Sequence, residues 1–86
     1  MNNEAVTIGD YVVRFCKLKN IRYKTFARAC GYRSDKDIST IKQVTMHQYF
    51  LMAEYMSRRS RLPEPFYLQR LKDIIKGDYR CRDLSL

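Results

Sequence analysis

Lys36, Ser39, Thr40 and Gln43 recur at intervals of three and four residues. Their side chains can donate or accept hydrogen bonds at the edge of a base pair. On a helix, at about 100° per residue, these positions fall within a stripe of about 100°, with Ile38 and Ile41 on the opposite side. An apolar back and a hydrogen-bonding front is what reading a duplex through a groove requires. The same stripe also fits the solvated face of any helix in a small basic protein, so it leaves both readings open. Asp35 and Asp37 stand beside it, where they complement a helix dipole but repel phosphate.

Other chemistry finds little to build on. Cys16, Cys30 and Cys81 are widely spaced and odd in number, which is neither a disulfide framework nor a metal pattern. A zinc site would need all three to converge on His47, the single histidine. Cys16 and Cys30 read instead as small core hydrophobes. A cysteine–histidine pair would have to be made by folding, from Cys30 and His47. Three isolated glycines form no phosphate loop, and the carboxylates are scattered, mostly beside basic residues. We therefore expect no enzyme activity, no cofactor and no metal.

The stripe needs a scaffold, and the residues before it supply one. Phe26 to Tyr32 reads as a short amphipathic helix closed by Gly31, with Tyr23 and Lys24 in its first turn. Ser34 then opens a second helix, with Asp37 at the capping-box position. Helix, brief turn and helix together make a helix-turn-helix over about residues 22–43. Upstream, Thr7 and Asp10 form a capping box for a first helix running to about Lys19, with Ile8, Tyr11, Val12, Phe15 and Leu18 inward and Arg14 and Lys17 outward. Val13 lies off that pattern. Downstream, Thr45 and Gln48 make another capping box, opening a helix with Met46, Tyr49, Phe50, Met52, Ala53 and Met56 on one broad face and Leu51 and Tyr55 opposite. After the basic connection from Ser57 to Pro65, a last helix runs about 65–76 to Gly77. Tyr67, Leu68, Leu71, Ile74 and Ile75 share one face, and Phe66 stands off it. The expectation is an all-α fold, a compact bundle of about five short helices in a single domain over 1–86, with flexible ends at about 1–6 and 78–86.

The chain carries 17 Lys and Arg against 9 Asp and Glu, a net charge of +8, which favours an anionic partner. No apolar run approaches the length of a membrane span. The first ten residues lack the basic start and apolar core of a signal peptide, so a cytoplasmic location and no membrane partner are expected.

The segment resembles the helix-turn-helix of the lambda-repressor-like (Cro and repressor) DNA-binding domains. In that family the second helix carries a large apolar residue, alanine, three variable positions with the last apolar, glycine and an apolar residue. Here those are Phe26, Ala27, Cys30, Gly31 and Tyr32. The apolar-polar-polar-apolar core of the third helix is matched by Ile38-Ser39-Thr40-Ile41. As a helix pattern the match covers roughly Ile8 to Ile75, and its specific part is about twenty residues. Departures are a turn one residue longer and Arg22 where a Ser or Thr cap is common. The resemblance implies a transcriptional regulator bound to double-stranded DNA, with Arg33, Lys36, Ser39, Thr40 and Gln43 reading bases and Arg14, Lys17 and Lys24 on phosphate. The basic connection adds Arg58 and Arg59 as phosphate contacts. Dimerisation is expected, because one reading helix covers a half-site. Phe66, Leu51, Tyr55 and helix 65–76 are candidates for that surface, although the last helix fits closing the monomer core equally well. A protein-binding module on the same fold, such as a small phage or mobile-element factor that binds a host protein, is the alternative. Binding of RNA through the arginines is a third reading.

Overall fold

The computed structural model describes residues 4–80, apart from the side chains of residues 35–37. Four α-helices and one 3-10 turn follow in order: α1 (Ile8–Lys19), α2 (Tyr23–Ala29), the 3-10 turn (Asp35–Thr40), α3 (Met46–Ser60) and α4 (Glu64–Ile75). Among the described residues the one extended pairing is an isolated antiparallel bridge between Ala5 and Arg80. The fold is an all-α bundle, as the helical spacings require.

Local signals set most of the boundaries. At α1 the Asp10 amide donates to Thr7 Oγ1 at 3.1 Å while the Thr7 amide donates to Asp10 Oδ2 at 3.2 Å. Thr45 and Gln48 repeat that exchange at α3, at 3.1 and 3.0 Å. Two of the amides each helix start would leave unpaired are thereby satisfied. Gly31, at φ 80°, turns the chain out of α2, a conformation that costs a residue with a Cβ. α2 itself has no side-chain cap at Arg22.

The segment carrying the stripe differs from expectation. Instead of an α-helix from Ser34 towards Gln43, residues 35–40 form a 3-10 turn, and 41–45 continue without helix. Two causes are visible. Ile38, Thr40, Ile41, Val44 and Thr45 are β-branched, a run that disfavours an α-helix. The Ile41 carbonyl is also drawn away, accepting the Gly9 amide of α1 at 2.8 Å. With three residues per turn, Ile38 and Ile41 lie in one row, and both are buried. Gly9 permits this approach. A Cβ there would lie 2.6 Å from the Ser39 carbonyl carbon and 2.8 Å from the Ile38 oxygen.

The core joins all elements. Tyr11, Val12, Phe15 and Cys16 of α1 meet Phe26, Ala27 and Cys30, the two isoleucines, Met52, Ala53 and Met56 of α3, and Tyr67, Leu71 and Ile74 of α4. Edge-to-face ring pairs tie Phe15 to Tyr67 at 5.9 Å and Phe26 to Tyr55 at 5.5 Å. The short connection Arg61–Pro63 turns α4 back antiparallel along α3, and the Tyr49 hydroxyl donates to the Leu68 carbonyl at 2.6 Å. Four side chains expected inside, Leu18, Met46, Phe50 and Ile75, are exposed. Leu18 and Ile75 stand in the final turns of their helices, and Met46 and Phe50 lie on the flank of α3 away from α2. Conversely Leu51 and Tyr55 are half-buried within the chain. Tyr55 lies on Phe26, and a Cβ at Gly31 would touch Leu51 at 3.7 Å.

Candidate nucleic-acid interface

The 3-10 turn is presented by what lies behind it. Ile38 and Ile41 anchor it in the core, and Gly9 holds its exit against α1. Ser39 and Thr40 are thereby left exposed. Gln43 is exposed too, but in the connection beyond the turn rather than on a helical stripe. Lys36 belongs to the turn, and its side chain, like those of Asp35 and Asp37, lies outside the described residues.

Cations lie beside Ser39 in the turn and beside Ser34 just ahead of it. A shallow depression between α1 and the turn is lined by Asp10, Val13, Arg14, Lys17 and Ser39. Val13, off pattern in the sequence, is half-buried here. A second depression shares Lys17 and continues through Asn20, Arg22, Tyr23 and Lys24. A third shares Lys24 and runs on to Arg28, Tyr32, Arg33 and Ser34. Lys17 and Lys24 thus link the three into one arc, which begins beside Ser39 and ends beside Ser34. Arg14, Lys17, Arg22, Lys24, Arg28 and Arg33 are its cations. Among the described residues its one lining carboxylate, Asp10, is engaged in the capping box of α1. Among the described residues the one ion pair is Arg58 with Glu54, at 3.0 Å and well exposed, so it does not involve the arc.

Several expected site residues fall differently from one another. Arg14, Lys17 and Lys24 are exposed and lie in the arc. Arg33 stands with Lys24 and Arg28 on the Ser34 side, among cations rather than beside Ser39. Arg58 and Arg59, in the last turn of α3, line none of the three depressions.

Reactive side chains are masked by burial. The Cys16 thiol is pushed up to about 11 and the Cys30 thiol to about 12, the latter with Cys16 adding a smaller contribution. Both stay protonated near neutrality, which removes the thiolate that nucleophilic chemistry needs. Cys30 is buried and His47 is exposed. Burial, and then the neighbouring Cys30, raises the Tyr32 phenol to about 12. That hydroxyl is buried without a hydrogen-bond partner among the described residues.

No family model, curated protein or solved structure matches the chain.

Three contributors are less evident from the sequence pattern. Arg22 and Arg28 complete the arc, and the signal for Arg28 is its four-residue spacing from Lys24 along the outer face of α2. Gly9 positions the turn, and the signal is a glycine in the first turn of an otherwise well-formed helix, where it is locally unfavourable.

Proposed function

We propose that this chain is a double-stranded-DNA-binding transcriptional regulator acting in the cytoplasm. The arc of cations holds phosphates, and the 3-10 turn faces base edges. One observation carries the reading: the exposed Ser39 shares a depression with Arg14 and Lys17, and the arc of cations runs on from there to Ser34, just ahead of the turn. Phosphate contacts fix position on a duplex, whereas base contacts select sequence. This arrangement supplies groups of both kinds, the second set beside the end of the first. The resemblance of Phe26-Ala27 and Cys30-Gly31-Tyr32 to lambda-repressor-like domains supports the same assignment. Regulation would follow from occupying an operator. Two copies would bind together across half-sites. Of the apolar groups expected for pairing, Phe66 remains exposed, in a depression it shares with Leu18 and Leu62.

The test is selection of duplexes from a random pool by the purified chain. The reading expects an enriched, two-fold symmetric sequence. Retention of all sequences alike would reduce the activity to charge attraction.

The brevity of the reading element favours a second reading. At about 2 Å per residue, a 3-10 turn of six residues gives less reach into a groove than a full recognition helix. A protein-binding module on this fold would need no such reach. A pool with no enriched duplex would favour it.

A further inference from the structure

A second surface lies away from the arc. α3 and α4 are antiparallel, so the start of α3 meets the end of α4. There Met46, Phe50 and Ile75 are 70%, 47% and 51% exposed. With Val44, Tyr49 and Lys72 they line an open groove of about 430 Å³. At 100° per residue, Met46 and Phe50 lie on the flank of α3 that faces away from α2, and Lys72 and Ile75 lie on the adjoining flank of α4. The floor is fixed rather than loose. Tyr49 is held by its hydrogen bond to the Leu68 carbonyl and meets Phe50 ring to ring at 5.3 Å.

Charge selects the occupant. Among the described residues Lys72 is the one charged residue lining the groove, and Lys76 follows it one helical turn on. Among the described residues no carboxylate lines it. A second copy seated here by two-fold symmetry would set each Lys72 against the other copy's cationic rim, and both copies carry net +8. An acidic partner removes that conflict. We infer that the groove between the start of α3 and the end of α4 docks an amphipathic helix of an acidic partner protein, its apolar face on Met46, Phe50 and Ile75 and its carboxylates toward Lys72. This is the helix-in-groove mode, in which side chains at i, i+3 or i+4 and i+7 enter an apolar trough. Met46, unbranched and polarisable, adapts to such anchors. Among the described residues the groove shares no lining residue with the arc, so a chain bound to DNA could recruit the partner at the same time.

The probe is a synthetic helix-forming peptide of about four turns, with leucines at i, i+4 and i+7 flanked by glutamates. Its counterpart carries lysines in place of the glutamates. Binding to the full chain is followed by titration and by methyl shifts of Met46 and Ile75. The acidic peptide should bind and move both methyls, and the lysine peptide should bind about ten-fold more weakly or not at all. Lys72→Glu should weaken the acidic peptide by about ten-fold and narrow its advantage over the lysine peptide. Phe50→Ala, a truncation at an exposed position, should weaken both peptides while leaving the helical spectrum unchanged. Equal binding of the two peptides, or shifts centred on Ser39 and Arg28, would overturn the inference. So would sedimentation showing a dimer of the unmodified chain that Phe50→Glu dissociates, since a second copy would then fill the groove.

Discussion

The Gly9 amide donates to the Ile41 carbonyl at 2.8 Å, and this hydrogen bond seats the first turn of α1 directly on the backbone of the 3-10 turn. A methyl group at residue 9 would fall 2.6 Å from the Ser39 carbonyl carbon, inside any tolerable separation. Gly9→Ala should therefore destabilise the fold by about 1–3 kcal/mol through overpacking, despite the better helix propensity of alanine. Urea denaturation checks the magnitude, and amide shifts of Ser39 and Thr40 check that the displacement is local. A stabilised Gly9→Ala variant would mean that the two backbones do not approach this closely.

Phe26 and Tyr55 give a test of how α2 is held. Their rings meet edge to face at 5.5 Å, and Phe26 is fully buried. Phe26→Ala should destabilise by about 3–5 kcal/mol. Tyr55 is half-buried, so Tyr55→Ala should destabilise less. In a double-mutant cycle the pair should show coupling of about 0.5–1.5 kcal/mol. Absence of coupling would assign the loss at Phe26 to the other residues around it.

Much of this architecture is legible in the sequence. Thr7–Asp10 and Thr45–Gln48 are short-range signals whose partners sit three residues away, and they predict the starts of α1 and α3 as the structure has them. The conformation of residues 35–41 is not legible in the same way. Its β-branched run disfavours an α-helix without specifying the 3-10 turn, and the deciding interaction is with Gly9, some thirty residues earlier. Spacing alone places Met46 and Phe50 inward, because periodicity reports that a position is apolar, not whether a neighbouring helix reaches it. For the candidate site, Arg14, Lys17 and Lys24 are identifiable as outward-facing cations. Their joining with Arg22, Arg28 and Arg33 into one arc depends on how α1, α2 and the turn pack.

Burial of the thiols makes stability sensitive to alkali. Cys16 and Cys30 rise from 9.0 to about 11 and about 12 because their thiolates would be desolvated. The folded state then keeps protons that the unfolded chain gives up. This contribution is intact below about pH 9 and is lost as pH rises through about 11 and 12. A thermal midpoint recorded across pH should hold steady to about 9 and fall beyond it. Cys30→Ala should start lower, since it leaves a small cavity, but fall less steeply. An equally steep fall in that variant would place the titrating groups elsewhere.

The arc predicts a particular salt dependence. Lys17→Ala and Lys24→Ala should each weaken binding to every duplex and reduce the log-log salt slope by about 0.9 for each phosphate no longer neutralised. Arg58 lies outside the arc and is paired with Glu54, so Arg58→Ala should change the slope less. Equal changes for all three would spread the phosphate-binding groups beyond the arc.

The most direct measurement is the specificity ratio: affinity for the selected duplex divided by affinity for random duplex, for the parent chain and for Ser39→Ala, Thr40→Ala and Lys24→Ala. Removing a base-reading hydroxyl from the 3-10 turn should cost about 1–3 kcal/mol on the selected site and leave random-duplex binding nearly unchanged. The ratio should therefore collapse for the first two variants. Lys24→Ala should weaken both affinities together and keep the ratio. A ratio unmoved by Ser39→Ala and Thr40→Ala, or no selected duplex from which to form one, would contradict sequence reading by this turn.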